Sequence, residues 1–473
     1  MGCLLFPLLL RAQEPAPTPQ WRPVYHYTPL KNWTNDPNGL SYLNGKYLLY
    51  NQYNPFDYKW GHMSWGHAVS RDLIHWEHLP VAIPEIMGSD TVARFSGSAV
   101  WDKNNTSGFC TSPKGCLVAI YTADQPAIHR ESQFIAYSND GGLTYTNYDK
   151  NPVIDLHLRD FRDPNVIWLE KEKEWLMTVA VPGDHKVRFY ASQNLKDWTL
   201  LSEFGGDQGD TRRIWECPSL TPLPVDGDPA HTAWLLMVSS GNPDAETGMQ
   251  YFVGDFDGHT FTNRYPADNK QFVDYGSTYY AAIPWNNLPP GQHIMLGWLT
   301  PTNTVTYPWT GQMSIPRDIA LRTTPEGVKL FQTPSVVISK GQPTKEKKGL
   351  NVNDQEIDLG VKGNAWWIDA SLAIGKATET GFKFAGKYLV SYDPASGQLV
   401  VKENGTVTKH MDVHPKDGVL HWKILFDKSS LEIFADNGAR VLTTMIYPDT
   451  DGLSIYSKGG TIADLKIWNL ATK

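Results

Sequence analysis

A chain of 473 residues is longer than one ordinary hydrophobic core, and its 41% hydrophobic content sets aside a disordered or membrane-embedded class. Its net charge of −8, from 42 Lys+Arg against 50 Asp+Glu, leaves no basic excess to neutralise phosphates, which excludes nucleic acid as the expected partner. The 18 tryptophans stand well above ordinary usage, and indole serves either as a platform for sugar rings or as core filler.

Residues 1–20, "MGCLLFPLLLRAQEPAPTPQ", place an apolar run before a Pro-rich spacer and read as the remnant of an export signal, although no Lys or Arg precedes the run. The expected location is therefore periplasmic or extracellular. No other segment approaches the length of a membrane span.

Over 21–337, short aromatic-rich runs such as "KYLLYNQY", "CLVAIYT", "EWLMTVAV", "AWLLMVSS" and "HIMLGWL" are each bounded by Gly, Pro, Asn or Asp. Helical periodicity is nearly absent, so the pattern is all-β. Two phrases repeat. The first sets a carboxylate beside a proline or in a turn before a strand: "NDPNG", "FRDPN" and "WECPS". The second sets a turn before a single aromatic: Trp76, Tyr145, Trp198 and Phe261. Strand-pair openings near Asp36, Ser96, Asp163, Glu216 and Thr278 recur at roughly 50 to 70 residues, room for a four-stranded antiparallel unit. Five such units arranged radially predict a five-bladed β-propeller; an irregular β-sandwich is the alternative.

The segment 338–356 is polar and Lys-rich and reads as a linker. Alternating strands fill 357–473, predicting a C-terminal β-sandwich. In "NAWWIDASLAI" two adjacent Trp point to opposite faces of one strand, so one of them is expected to reach across to the propeller.

In a propeller the innermost strands line a central channel, so matching positions in different blades converge. Asp36, Asp163 and Glu216 open repeats one, three and four. Each alone reads as a turn residue. Together they would raise one another's pKa values, a cost that a purely structural design avoids. Two carboxyls across a glycosidic bond are the minimal apparatus for hydrolysing it.

The ordered motifs "WTNDPNG", "NQYNP", "WGHMSWGHAVSRDLIHW", "FSGSAV", "FRDP" and "WECP" resemble glycoside hydrolase family 32, the invertases, inulinases and levanases, and "ILFDKSSLEIFAD" resembles its C-terminal sandwich. The resemblance implies a propeller followed by a sandwich that cleaves β-fructofuranosides with retention; separately, no cofactor and no metal are expected. Asp36 matches the nucleophile, Glu216 the acid/base, and Asp163 the acid that holds ring hydroxyls. Asn35, Gln52, Trp60, Ser96, Arg162 and Trp298 match substrate-pocket positions, and Arg162 is expected to keep Asp163 ionised. The expected partner is a fructose-containing oligo- or polysaccharide. After Trp298 the chain departs from the family's Asn-Trp-Gln-Tyr segment, and Tyr307 or Trp309 is the expected substitute ring. Transfer of fructose to a sugar acceptor, and a non-catalytic fructan-binding scaffold, are the rival functions.

Other features carry less. His26, His62, His67 and His75 fit no metal spacing and are assigned pocket or packing roles, and the cysteines have no zinc-finger spacing. Cys110 and Cys116 flank a turn-rich loop and are either a disulfide or two free thiols. Cys217 is expected to be a buried neutral thiol. Asn104 and Asn404 open glycosylation sequons.

Overall fold

The computed structural model describes residues 19–242, 245–303 and 305–470, so the expected leader lies almost wholly outside the described residues. The first blade is Asn32–Leu43, Lys46–Tyr53, Ser64–Ser70 and Trp76–Ile83, paired in that order. The second begins with Ala93–Asp102, the third with Arg162–Leu169, and the fourth with Glu216–Val225. The fifth is Tyr279–Pro284, Ile294–Leu299, Arg317–Thr324 and Gly327–Pro334. The aromatic phrase marks the outer edge: Trp76 and Phe261 open the outermost strands of their blades, and Tyr145 and Trp198 directly precede theirs. Each such ring closes the apolar layer at the rim, where little else covers it.

The segment after Trp298 closes the ring of blades. Trp309–Thr310 pairs with Asn32 and Trp33 of the first blade, and Gln312–Met313 pairs with the fifth. Trp309 is therefore buried, with the Arg22 guanidinium 3.9 Å over its ring, and is not the substitute ring that the sequence suggested. Tyr307 instead stands edge-on to Tyr58 at 5.6 Å.

The C-terminal sandwich has two six-stranded sheets. The expected linker is corrected over its second part. Lys345–Val352 is an edge strand paired with Thr461–Asn469, and Gln355–Asp358 edges the other sheet. Its lysines keep an exposed edge from pairing with another chain, so composition alone reads such a strand as a linker.

Trp366 and Trp367 divide as their alternation requires. Trp366 packs into the sandwich core, while Trp367 joins Tyr25, Trp285 and Ile294 in an apolar cluster shared with the propeller. Beside that cluster lies a fully buried polar network. Arg317 of the propeller donates to Glu432 of the sandwich at 2.6 Å and to Asp274 at 3.1 Å, and Thr443 Oγ1 donates to Asp274 at 2.6 Å. His26 bridges Asp427 and Glu432, each at 2.8 Å. Burial alone would push His26 down, but hydrogen bonds to Asp427 and Glu432 outweigh it and raise the imidazole to about 9. Burial likewise opposes ionisation of the two carboxyls, yet both end below their ordinary values, Asp427 through His26 and Glu432 through Arg317 and His26.

The sign of the pH dependence follows. A raised His26 stabilises the docked domains fully below its unfolded value near 6.5, and that contribution is lost as pH rises through about 9. The lowered carboxyls contribute above their unfolded values and lose that contribution in acid. His26→Ala, which strands two buried carboxylates, is expected to cost about 3–5 kcal/mol and to remove the alkaline decline between pH 6.5 and 9. Denaturant unfolding across that range checks both; an unchanged decline in the variant would assign it to another group.

Candidate active site

The carboxylate–proline phrases are β-bulges. At the start of the innermost strand of every blade the ladder slips: between Thr34 and Pro37, Arg94 and Gly97, Arg162 and Asn165, Glu216 and Ser219, and Tyr280 and Ile283. Pro37, Pro164 and Pro218 have no N–H to give the ladder, so pairing breaks there, and a bulge re-aims the neighbouring side chain. Asp163 and Cys217 adopt left-handed backbone, φ 67° and 47°, conformations that L-residues keep only where surrounding contacts hold them. In the second blade the residue after Ser96 is Gly97, needed there for close approach. A Cβ there would lie 2.1 Å from the Ile120 carbonyl oxygen, so only glycine lets the strands close behind Ser96.

The five slips share one end of the channel, where a pocket of about 280 Å³ opens. Asn35, Asp36, Gln52, Trp60, Ser96, Arg162, Asp163 and Glu216 all line it. Trp298 does not. It stands edge-on to Trp33 at 5.9 Å and to Tyr280 at 6.5 Å, one layer behind the wall.

Asp36 Oδ2 accepts from Ser96 Oγ at 2.6 Å, and its Oδ1 accepts from Asn35 Nδ2 at 3.1 Å. Glu216 Oε1 accepts from Arg162 Nε at 2.9 Å, and Oε2 accepts from the Tyr280 hydroxyl at 2.6 Å. Asp163 Oδ2 accepts from the Cys217 N–H at 3.0 Å and from its thiol at 3.5 Å. The same thiol lies 3.7 Å from Asp36 Oδ2. Trp60 is 59% exposed at the mouth, its ring free to meet a ligand face.

Burial raises Asp36, and the charge of Glu216 adds to it against the bonds from Ser96 and Asn35. Burial first, then the charges of Glu216 and Asp36, push Asp163 up to about 8. Arg162 works against that rise without overcoming it. The expected pairing is thus corrected: Arg162 spends its Nε on Glu216 and its Nη1 on Glu131 and Asp160, and it does not hold Asp163 ionised. At neutral pH the cluster retains a proton that three ordinary carboxylates would have released, a property of the group rather than of one member. Burial and the surrounding carboxylates also drive Cys217 upward, so its thiol stays neutral.

The ligand atoms of Asp36, Asp163 and Cys217 lie within 4.8 Å of one another, a spacing that a cation could bridge. The neutral Cys217 thiol has one proton to share there, lying 3.5 Å from Asp163 Oδ2 and 3.7 Å from Asp36 Oδ2. The histidines divide differently: His67 stacks on Tyr50 at 4.4 Å, while His62 and His75 bond Glu85 and Asp72. Cys110 and Cys116 form a disulfide.

Sequence reasoning missed Tyr280 and Glu131. Tyr280 lies in "STYYAAIP", whose only sign was its place at the start of the fifth blade, where the other repeats carry functional side chains. Glu131 is the second residue of the strand Arg130–Ser138, away from any repeat phrase, and accepts from Arg162 Nη1.

Carboxylates from different blades gathered in one pocket supply the pair of acids that glycoside hydrolysis requires. Residues 26–334 match "Glycosyl hydrolases family 32 N-terminal domain", and residues 330–469 match "Glycosyl hydrolases family 32 C terminal". A levanase from Bacillus subtilis (strain 168) is 43% identical over 474 residues, which cover 93% of this chain and 69% of the relative. The crystal structure of an exo-inulinase from Aspergillus awamori superposes with a TM-score of 0.90 at 37% identity, covering 95% of this chain and 98% of that one. A fructofuranosidase from Schwanniomyces occidentalis, complexed with fructosylnystose, gives 0.87 at 28% identity over 97% and 99% of the two chains. The chain belongs to the glycosyl hydrolases family 32.

Proposed function

We propose that the chain is a secreted β-fructofuranosidase that hydrolyses sucrose or fructans with retention, through a covalent fructosyl-enzyme. The observation that carries this reading is the placement of Asp36 and Glu216, from the first and fourth blades, in one pocket with different partners. Asp36, held by Ser96 and Asn35, attacks the anomeric carbon as the glycosidic bond breaks. Glu216 delivers a proton to the departing oxygen, then takes one from the water that releases fructose and regenerates Asp36. Asp163 accepts hydroxyls of the fructosyl ring. Those new donors favour its ionised form. The Tyr280 hydroxyl can donate to ionised Glu216 or accept from its protonated form, so it serves both half-reactions.

Secretion is supported by the Cys110–Cys116 disulfide, which suits an oxidising compartment, and by relatives described as extracellular exo-inulinases. Incubation with sucrose, inulin and levan, followed by chromatography, is expected to show released fructose. NMR of the first product is expected to show the β-anomer before mutarotation. An α-anomer formed first would overturn retention, and products longer than the substrate would show sugar outcompeting water for the intermediate.

A further inference from the structure

A larger pocket, about 460 Å³, opens at the opposite end of the propeller. Trp101 lies five residues beyond Ser96 on its innermost strand, and Trp168 five beyond Asp163 on the next. At about 3.3 Å per residue, both rings stand roughly 16 Å from the carboxylates along the channel. Asn286 closes the channel between the two pockets, its Nδ2 donating to the Ala99 carbonyl at 3.1 Å and the Val166 carbonyl at 3.2 Å. The second pocket is thus separate from the first.

It is also built in advance. Trp175 forms a buried part of its wall, with Nε1 donating to Thr106 Oγ1 at 2.9 Å and its ring edge-on to Trp168 at 4.9 Å. Trp168 Nε1 donates to the exposed Glu170 at 2.7 Å, and its ring is half-buried. The loop carrying Lys103 and Asn104 is tied down by the Asp102 carboxylate, which accepts from the backbone N–H and hydroxyl groups of Thr106 and Ser107. Half-buried indoles beside an amide and an ammonium match a ligand that alternates C–H faces with hydroxyls. A sugar chain has that chemistry; a phosphate or a lipid tail does not.

We propose that this pocket is a second, non-catalytic carbohydrate site that holds a stretch of fructan remote from the bond being cut. The choice of fructan rests on the proposed function. Tethering the polymer raises the effective concentration of its ends at the catalytic pocket, which a disaccharide cannot exploit.

Trp168→Ala, and separately the rim variant Lys103→Ala/Asn104→Ala, test this against two substrates. Loss of a stacking ring is expected to raise KM for levan or inulin about tenfold, while KM and kcat for sucrose stay within about twofold of wild type. The rim variant touches no core side chain and is expected to shift KM in the same direction. Unchanged polymer KM in both variants, or equal losses on polymer and sucrose, overturns the proposal. A direct readout is independent of turnover. Titration of Asp36→Asn protein with levan and inulin oligosaccharides is expected to show two classes of site, one of them lost with Trp168→Ala. A single class overturns the second site, whereas two classes in an enzyme that cleaves neither polymer would sink the proposed activity alone.

Discussion

Asp36→Asn is expected to give a folded protein with no measurable turnover. The amide is nearly isosteric with the carboxylate, and the Ser96 hydroxyl that now donates to Oδ2 at 2.6 Å can rotate to accept from an amide N–H. The substitution also removes a buried charge from a cluster in which Glu216 and Asp163 already oppose ionisation, so stability is expected to hold or rise. What disappears is the nucleophile. Loss of a group that forms the covalent intermediate costs roughly 10⁴- to 10⁶-fold in kcat. Circular dichroism and unfolding midpoints matching wild type, with hydrolysis at background, are the expected pair of results. A well-folded variant with near-wild-type kcat would remove Asp36 from the mechanism.

The parts of this architecture that the sequence made legible are those written in the backbone. The recurring carboxylate–proline phrase was legible as the opening of successive repeats, and a proline at Pro37, Pro164 and Pro218 breaks the ladder where each innermost strand begins. The ring at Trp76 or Phe261 likewise marks an outer strand, because a blade edge needs an apolar cap there. Trp366 and Trp367 had to face opposite ways, since side chains alternate along a strand, and one of them had to find a second domain.

Partner choice was hidden. Nothing in "FRDP" tells Arg162 to prefer Glu216 and Glu131 over its neighbour Asp163; that follows from which blades its guanidinium spans. Tyr280 and Glu131 reach the cluster only through tertiary approach, over 64 residues to Glu216 and 31 residues to Arg162. Trp309 looked available for the pocket because its burial beneath Arg22 depends on a ring closure that links residues 309 and 32. The edge strand Lys345–Val352 was hidden by composition, since charge is what an exposed edge requires.

Glu216→Ala separates the acid/base chemically from the nucleophile. The fold is expected to survive, because Arg162 keeps Glu131 and Asp160 as partners when Glu216 is gone. On sucrose or fructan, whose leaving oxygen needs a proton, the variant is expected to lose roughly 10²- to 10⁴-fold. On a fructoside with an activated, low-pKa leaving group it is expected to keep far more, since departure there needs no acid. The fructosyl-enzyme then forms on Asp36 and waits, because water has also lost its general base. Azide needs no base, so adding it is expected to restore turnover and to yield a β-fructosyl azide, the product of two inversions. Asp36→Asn is expected to gain nothing from azide, since no intermediate accumulates. An α-azide from Glu216→Ala would mean direct displacement without a covalent intermediate. The same rescue in Asp163→Ala, absent in Glu216→Ala, would move the acid/base role to the third blade.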